Sequence, residues 1–563
     1  MRLRRPLALT LLGLILTAPF VLGFSPVAGR HAMVASSESH ATDAGVEILR
    51  AGGNAVDAAV AVGFALAVTH PFAGNIGGGG FMLVRLATGE SAFIDYREAA
   101  PSAATHNMYL DPAGNLIPDA SLVGALASGV PGTVAGLALA EQKYGKVGLA
   151  RVMEPAIRLA SDGFEVSYDL ARGLRGESQK LGKFGESRRI FLRDGTFYEA
   201  GETFRQPKLA HTLTLIAAQG ADAFYRGPIA DQIAASMEKN HGIISRADLA
   251  QYQAKIRTPL VGHFRGFTIL SAPPPSSGGV GLFEMLNILE PLDLGAPDSY
   301  SSMHLMIEAM RRAYADRAEY LGDADFVTVP VAGLTSKDYA AKLRGEMLAA
   351  KPDAPLQAGQ PVPYESSTTT HYSVVDAEGN AVSNTYTLNA GYGSGLTVEG
   401  AGFLLNDEMD DFAAKPGSPN LFGLVQGEAN SIAPRKRPLS SMTPTIVLQD
   451  QPGGQPALRL VLGSPGGGTI INTVLEVLLN VAVFHMDAQQ AVTAPRFHNQ
   501  WLPDVVVIEK SISEDTADRL QQAGYKLRRV GGIGDCEAVE VDPATGWRFG
   551  ASDPRGDGKA AGY

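Results

Sequence analysis

Ser366-Ser367-Thr368-Thr369-Thr370-His371-Tyr372-Ser373 opens the stretch whose reading decides the fold. By itself it is a strand start, because threonine suits a pleated, half-buried surface. Two strands, 370–376 and 381–388, flank the turn Asp376-Ala377-Glu378-Gly379-Asn380. A hairpin centred near residue 378 sets Thr387 opposite Thr369, within a residue. Two hydroxyls then face each other across one strand pair. A threonine hydroxyl is a poor nucleophile at neutral pH unless a base takes its proton. One source of that base is the threonine's own amine, freed by cutting the peptide bond before it. A free α-amine titrates near ~8, close to working pH, whereas a buried lysine needs a large shift. Spacing alone does not select among Thr368, Thr369 and Thr370.

Upstream, Lys351 to Ser367 dissolves into Pro, Ala, Gly, Gln and Ser, a linker composition. Downstream, strands are expected at 443–448 and 457–462. Gly463-Ser464-Pro465-Gly466-Gly467-Gly468 then precedes a helical pattern from Thr469 to Phe484. Backbone N–H groups at a helix N-terminus suit an oxyanion, and acyl transfer needs such donors. No Lys-Ser/Thr closes the run as a phosphate loop requires. Leu462 stands where a nucleophile elbow needs its first glycine. Further upstream, Asn54 reads as the N-cap, with Asp57 three residues on, of a helix running to Val68. That helix gives way to Gly77-Gly78-Gly79-Gly80, a strand 81–86 and a strand 92–96 that runs into Arg97-Glu98. Residues 140 to 350 alternate amphipathic helices with Gly/Pro turns, 301–321 being the longest helical pattern.

Bulk properties exclude several classes. Of 563 residues, 45% are apolar and 19% charged, the mark of a globular chain with a sizeable core. The net charge of −11 and the lack of a basic run argue against nucleic acid as partner. A single cysteine, Cys536, cannot form an intramolecular disulfide. No two histidines lie within four residues of each other, so metal-site spacings are missing and a metal-independent mechanism is expected. Arg2, Arg4 and Arg5 precede an apolar run from Pro6 to Leu22 that ends at Gly23. This is the pattern of a secretory signal peptide, with a retained anchor as the alternative. Residues 1–23 are therefore expected to be removed, leaving an exported protein, periplasmic or secreted, with no membrane attachment. The run Ile470 to Phe484 is interrupted by Asn472, Glu476 and Asn480 and reads as a buried or amphipathic helix.

With these motifs in order, the chain resembles the γ-glutamyltransferase (γ-glutamyl transpeptidase) family of N-terminal-nucleophile hydrolases. The resemblance is carried by Gly52-Gly53-Asn54-Ala55-Val56-Asp57, Asp95-Tyr96-Arg97-Glu98-Ala99-Ala100-Pro101 and Pro274-Pro275-Ser276-Ser277-Gly278-Gly279. It continues through Thr369-Thr370-His371-Tyr372-Ser373, Asn406-Asp407-Glu408-Met409-Asp410-Asp411-Phe412, Arg437-Pro438-Leu439-Ser440-Ser441-Met442, Gly463-Ser464-Pro465-Gly466-Gly467 and Asp553-Pro554-Arg555. It implies a four-layer αββα fold, made as a proenzyme and cut between Thr368 and Thr369 into associated chains of 24–368 and 369–563. It implies that Thr369 is the nucleophile, Thr387 its supporting threonine, and Gly466 and Gly467 the oxyanion-hole glycines. Arg97, Asn389, Glu408, Asp411, Ser440 and Ser441 are the positions implied to hold the α-carboxylate and α-amine of a γ-glutamyl group. Their chemistry fits, since Arg97 offers a bidentate fork and the acids suit an ammonium.

The implied activity is transfer or hydrolysis of γ-glutamyl compounds such as glutathione, with water, an amino acid or a peptide as acceptor and no cofactor. A cephalosporin or glutaryl amidase and a poly-γ-glutamate depolymerase are alternatives on the same scaffold. A non-catalytic γ-glutamyl peptide-binding protein is an alternative of another kind. The loop 415–430 resembles the family's lid, with Phe422 where a tyrosine is usual. The ring can still cover the substrate, but the phenolic hydrogen bond is lost.

Overall fold

The computed structural model describes residues 25–349 and 369–563. The expected leader 1–23, the linker 351–367 and Thr368 lie outside the described residues. Two seven-stranded sheets organise the chain. One runs, from edge to edge, Val27–Gly29, Arg548–Ala551, Glu537–Val541, Ala457–Gly463, Thr445–Gln449, Phe267–Ser271 and Leu260–Phe264. The other runs Lys559–Gly562, Met33–Ser36, Thr369–Val375, Ala381–Thr387, Gly79–Arg85, Ser91–Tyr96 and Lys255–Arg257. Every neighbouring pair in the second sheet is antiparallel.

The layers follow from the two-residue period of strand side chains. In Gly79–Arg85, Phe81 and Leu83 enter the core between the sheets, while Met82 and Val84 enter a core under helices. The same alternation in Thr445–Gln449 sends Ile446 and Leu448 inward and Val447 outward. Three apolar layers result: helices on the second sheet, sheet on sheet, and helices on the first sheet. This is the four-layer αββα fold, in which each sheet buries both faces.

The helix Ala55–Thr69 is buried at all of its residues, and its small side chains let it lie close to the second sheet. It starts at a capping box: Asn54 accepts from the N–H of Val56 and Asp57, and Asp57 accepts from the N–H of Asn54. Asp57 also accepts from the N–H of Lys146 and Val147. On the opposite face of the molecule, Gly278–Leu289, Tyr300–Tyr320 and Ile470–Ala482 cover the first sheet. The expected pattern over Ile470–Phe484 is thus a buried helix, with Asn472 hydrogen-bonded to the His498 ring and the Asn499 carbonyl and Asn480 to the Ala491 carbonyl. Among the described residues no helix is long and apolar enough to cross a membrane.

Removing the Asp57 carboxylate takes the acceptor from three part-buried hydrogen bonds, those of the Asn54, Lys146 and Val147 N–H groups. Asp57→Ala is expected to lower stability by about 2–4 kcal/mol, read as a drop in urea midpoint at unchanged m-value.

Candidate active site

The site begins at the hairpin. Thr369 opens one strand, Thr387 closes the next, and the two are register partners, as the turn spacing requires. Their hydroxyl oxygens are 3.5 Å apart. Thr369 shares its strand face with His371 and Ser373, and that face looks toward the first sheet: Ser373 Oγ donates to the Glu537 carbonyl. The Thr387 hydroxyl accepts the N–H of Asn389 at 2.9 Å, and its carbonyl accepts Asn75 Nδ2 at 2.8 Å. Thr369 is 7% exposed. His371, two residues on, is no base for it. Burial pulls its imidazole down to about 3, and its ring nitrogens meet Thr385 Oγ1 and Ser373 Oγ.

A glycine loop approaches from the first sheet. Strand Ala457–Gly463 ends, and after Pro465 the chain turns through Gly466 at φ +136° and Gly467 at φ +54°. Both values lie where a Cβ is unfavourable. Gly467–Thr469 forms a 3₁₀ turn that leads into the helix Ile470–Ala482. The first N–H groups of such a turn have no partner within it and carry the positive end of the helix dipole. Tyr314 Oη donates to the Gly468 carbonyl and holds the loop from behind.

The charged half of the site is built on Arg97, just past strand Ser91–Tyr96, and on the 3₁₀ turn Glu408–Asp411. Arg97 is fully buried and its two terminal nitrogens bind Glu408 and Asp411, with Glu98 3.5 Å away. Burial opposes the guanidinium charge, but the neighbouring Glu408, Asp411 and Glu98 outweigh it and raise the Arg97 pKa. Burial likewise pushes the Glu408 carboxyl well above the usual range and Glu98 up to about 7, against the pull of Arg97. In this structure the fork engages both acids, and among the described residues Glu408 Oε2 has no hydrogen-bond partner. Asn389, at φ +75°, joins the halves: its N–H reaches Thr387 and its Nδ2 donates to the Asp407 carbonyl at 3.1 Å. Ser440 and Ser441 are buried alongside.

These groups line a pocket that is partly open to solvent, with about 270 Å³ of empty space when the open part is counted. Thr369, Thr387 and Gly467 line it together with Arg97, Asn389, Glu408, Asp411, Ser440 and Ser441. Phe422, Leu424, Met442 and Ile470 supply its apolar wall. Gly466 lies one residue beyond that lining. Phe422 is only 8% exposed, and its ring lies so close to Gly467 that a Cβ there would fall 2.3 Å from it.

The lid carrying Phe422 is latched to the acidic turn. Asn420 donates to Asp411 Oδ1 at 3.0 Å, and its own Oδ1 accepts the N–H of Phe422 and Leu424. Asp410 accepts the Leu421 N–H and the Ser121 hydroxyl. Gln426 and Asn430 both donate to the Asp411 carbonyl. Sequence reasoning passed over Glu98, Asp410, Asn420, Tyr314 and Arg317. Glu98 and Asp410 lay inside motifs already quoted. Tyr314 and Arg317 gave no signal, because polar residues on a long helix read as its solvent face.

The gamma-glutamyltranspeptidase family model matches residues 41–563. A glutathione hydrolase proenzyme of Escherichia coli (strain K12) is 50% identical over 549 residues, which cover 96% of this chain and 93% of the relative. Among solved structures, the γ-glutamyltranspeptidase of Helicobacter pylori matches with 47% identity and a TM-score of 0.55, covering 57% of this chain and 91% of its own. A cephalosporin acylase from Bacillus halodurans matches with 28% identity and a TM-score of 0.84, over 97% of this chain and 98% of the acylase.

Asn420 makes three of the hydrogen bonds that shape the lid. Asn420→Ala is expected to speed amide hydrogen exchange at residues 420–424 by about tenfold, with the two sheets unchanged by mass spectrometry.

Proposed function

The chain belongs to the γ-glutamyltranspeptidase family, and on that premise we propose that Thr369 is its nucleophile, acting as the first residue of a chain released by self-cleavage. The protein is a γ-glutamyltransferase with glutathione hydrolase activity. The observation that carries the site assignment is the hydroxyl pair Thr369–Thr387 opening on the same cavity as Arg97, Glu408, Asp411, Ser440 and Ser441. A γ-glutamyl donor presents an α-carboxylate and an α-ammonium there. Arg97 exchanges an internal carboxylate for the donor's carboxylate, and the acid so released takes the ammonium. Charge is conserved within the buried site, so one set of ion pairs replaces another and the desolvation cost is contained.

With the donor held, the freed α-amine of Thr369 takes the hydroxyl proton as Oγ1 attacks the γ-carbonyl carbon. The Thr387 hydroxyl, fixed by the Asn389 N–H, keeps Oγ1 in place. The N–H groups of Gly466 and Gly467 stabilise the tetrahedral oxyanion. Collapse returns the proton to the leaving amine and forms the γ-glutamyl ester of Thr369. Water or an acceptor amine then attacks that ester by the same steps in reverse. Phe422 closes over the acyl group without the hydroxyl that a tyrosine would bring. A glutaryl amidase on this scaffold would bring no ammonium for the Glu408–Asp411 turn, which favours the γ-glutamyl reading.

We also propose that the cut lies between Thr368 and Thr369 and that chains of about 24–368 and 369–563 stay associated. Strand pairing supports this: Thr369–Val375 lies beside Met33–Ser36, and Ala381–Thr387 beside Gly79–Arg85, so each sheet interleaves strands from both sides of residue 369.

Thr369→Ala is expected to run as one uncut chain on a denaturing gel, because the same hydroxyl must attack the preceding carbonyl. The parent should give two bands and release p-nitroaniline from γ-glutamyl-p-nitroanilide, faster when a dipeptide acceptor is present. Two-chain material from the alanine variant, beginning at residue 369, would remove Thr369 from the role.

Export is proposed from residues 1–23. Deleting them should strand the enzyme inside the cell, whereas the full chain should yield detergent-free exported enzyme starting near residue 24. Exported protein that keeps Leu7 to Leu22 would identify an anchor instead.

A further inference from the structure

Arg317 is a buried cation that the reaction as described does not use. It sits in the last turn of the helix Tyr300–Tyr320, 3% exposed. Among the described residues no carboxylate lies within ion-pairing distance of it. Its Nε donates to Ser277 Oγ at 3.0 Å and its Nη2 donates to Ser441 Oγ at 3.2 Å. Its Nη1 is buried and, among the described residues, has no hydrogen-bond partner. A guanidinium taken out of water without a counter-ion is costly, and such a cost persists only where something repays it. Burial pulls its pKa down to about 10, so it stays charged at neutral pH.

The hydrogen bonds indicate what that charge does. A hydroxyl has one proton to give. Because Ser441 Oγ accepts from Arg317, its proton remains available to the cavity that Ser441 lines. Ser440 is set similarly, since its Oγ accepts the Met442 N–H at 3.1 Å. Ser277 extends the arrangement: it accepts from Arg317 and donates to the Ser440 carbonyl at 2.7 Å. Arg97, the other cation at the site, is already bound by two carboxylates.

We propose that Arg317 is a positioning residue for the α-carboxylate of the donor: it turns the Ser441 hydroxyl toward that carboxylate and supplies the positive charge that Arg97 shares with Glu408 and Asp411. This deepens the γ-glutamyl reading and rests on it. The same helix braces the opposite end of the site, because Tyr314, one turn earlier, holds the Gly468 carbonyl. Arg317 therefore ties carboxylate recognition to the element that steadies the oxyanion loop.

The test compares γ-glutamyl-p-nitroanilide with 4-aminobutyryl-p-nitroanilide, which differs only by lacking the α-carboxylate. Arg317→Gln should raise KM for the first donor about tenfold or more, with kcat within about threefold. For the second donor kcat/KM should stay within about threefold of the parent, so that the parent's preference for the carboxylate collapses. Arg317→Lys, which keeps the charge but not the fork, should recover part of that preference. In a double-mutant cycle, Ser441→Ala should cost less in the Arg317→Gln background than in the parent. Equal losses with both donors, or none with either, would overturn the inference while leaving γ-glutamyl transfer intact. If Arg317→Gln gives no two-chain enzyme, Arg317→Lys carries the same comparison, and an unselective loss there overturns the inference equally. A parent inactive on γ-glutamyl-p-nitroanilide would overturn the γ-glutamyl reading itself.

Discussion

Strand pairing has a period of two, and strand Thr369–Val375 is hydrogen-bonded on both sides, so its register is not free to slip. A shift of one residue would turn Thr369 toward the helices and put Tyr372 and Val374 between the sheets. The apolar residues on the helix face, Tyr372, Val374, Val382 and Tyr386, hold the register. Opposing hydroxyls on the other face are its consequence. Position and chemistry are thereby coupled: a residue at the end of a central strand is as rigid as the sheet, yet it borders the cavity at the sheet's margin. The same pairing spreads strands from both sides of residue 369 through both sheets, which would hold together the two chains that the proposed cut makes.

The second constraint is electrostatic. Arg97, Glu98, Glu408 and Asp411 occupy one buried cluster, and a donor zwitterion bound as proposed would bring one charge of each sign into it. Buried ion pairs add little net stability on their own. Their value here lies in exchange, since a partner of matching sign is available for every group displaced. Asp411 also holds the lid through Asn420, and its carbonyl receives Gln426 and Asn430. The proposed contact with substrate charge and the order of the lid thus meet on one residue, and the lid in turn presses Phe422 against Gly467.

Much of this was legible in the chain. The hairpin, the capped helix from Asn54, the helix over Ile470 to Phe484 and the Thr369–Thr387 pairing rest on local rules of turn length, side-chain period and capping, and they stand in the structure within a residue or two. Local rules did not place the Gly466-Gly467 turn beside the threonines. The glycine run and the hairpin belong to different sheets, and only the packing of sheet on sheet brings them together.

What the sequence by itself determined was the set of groups and the period on which they recur: the hydroxyl pair, the glycine turn, and one arginine with its acids. Tertiary structure decided how they are engaged. Arg97 meets Glu408 and Asp411 across more than three hundred residues, a contact no periodicity encodes. Arg317 is the plainer case. On a long helix an arginine reads as a solvated residue, because charge normally seeks water. Only the closure of the helix layer over the first sheet buries it, directs its donors to Ser277 and Ser441, and leaves its charge without a carboxylate partner among the described residues. Burial is a property of the assembled layers, and so the meaning of that residue was available only from them.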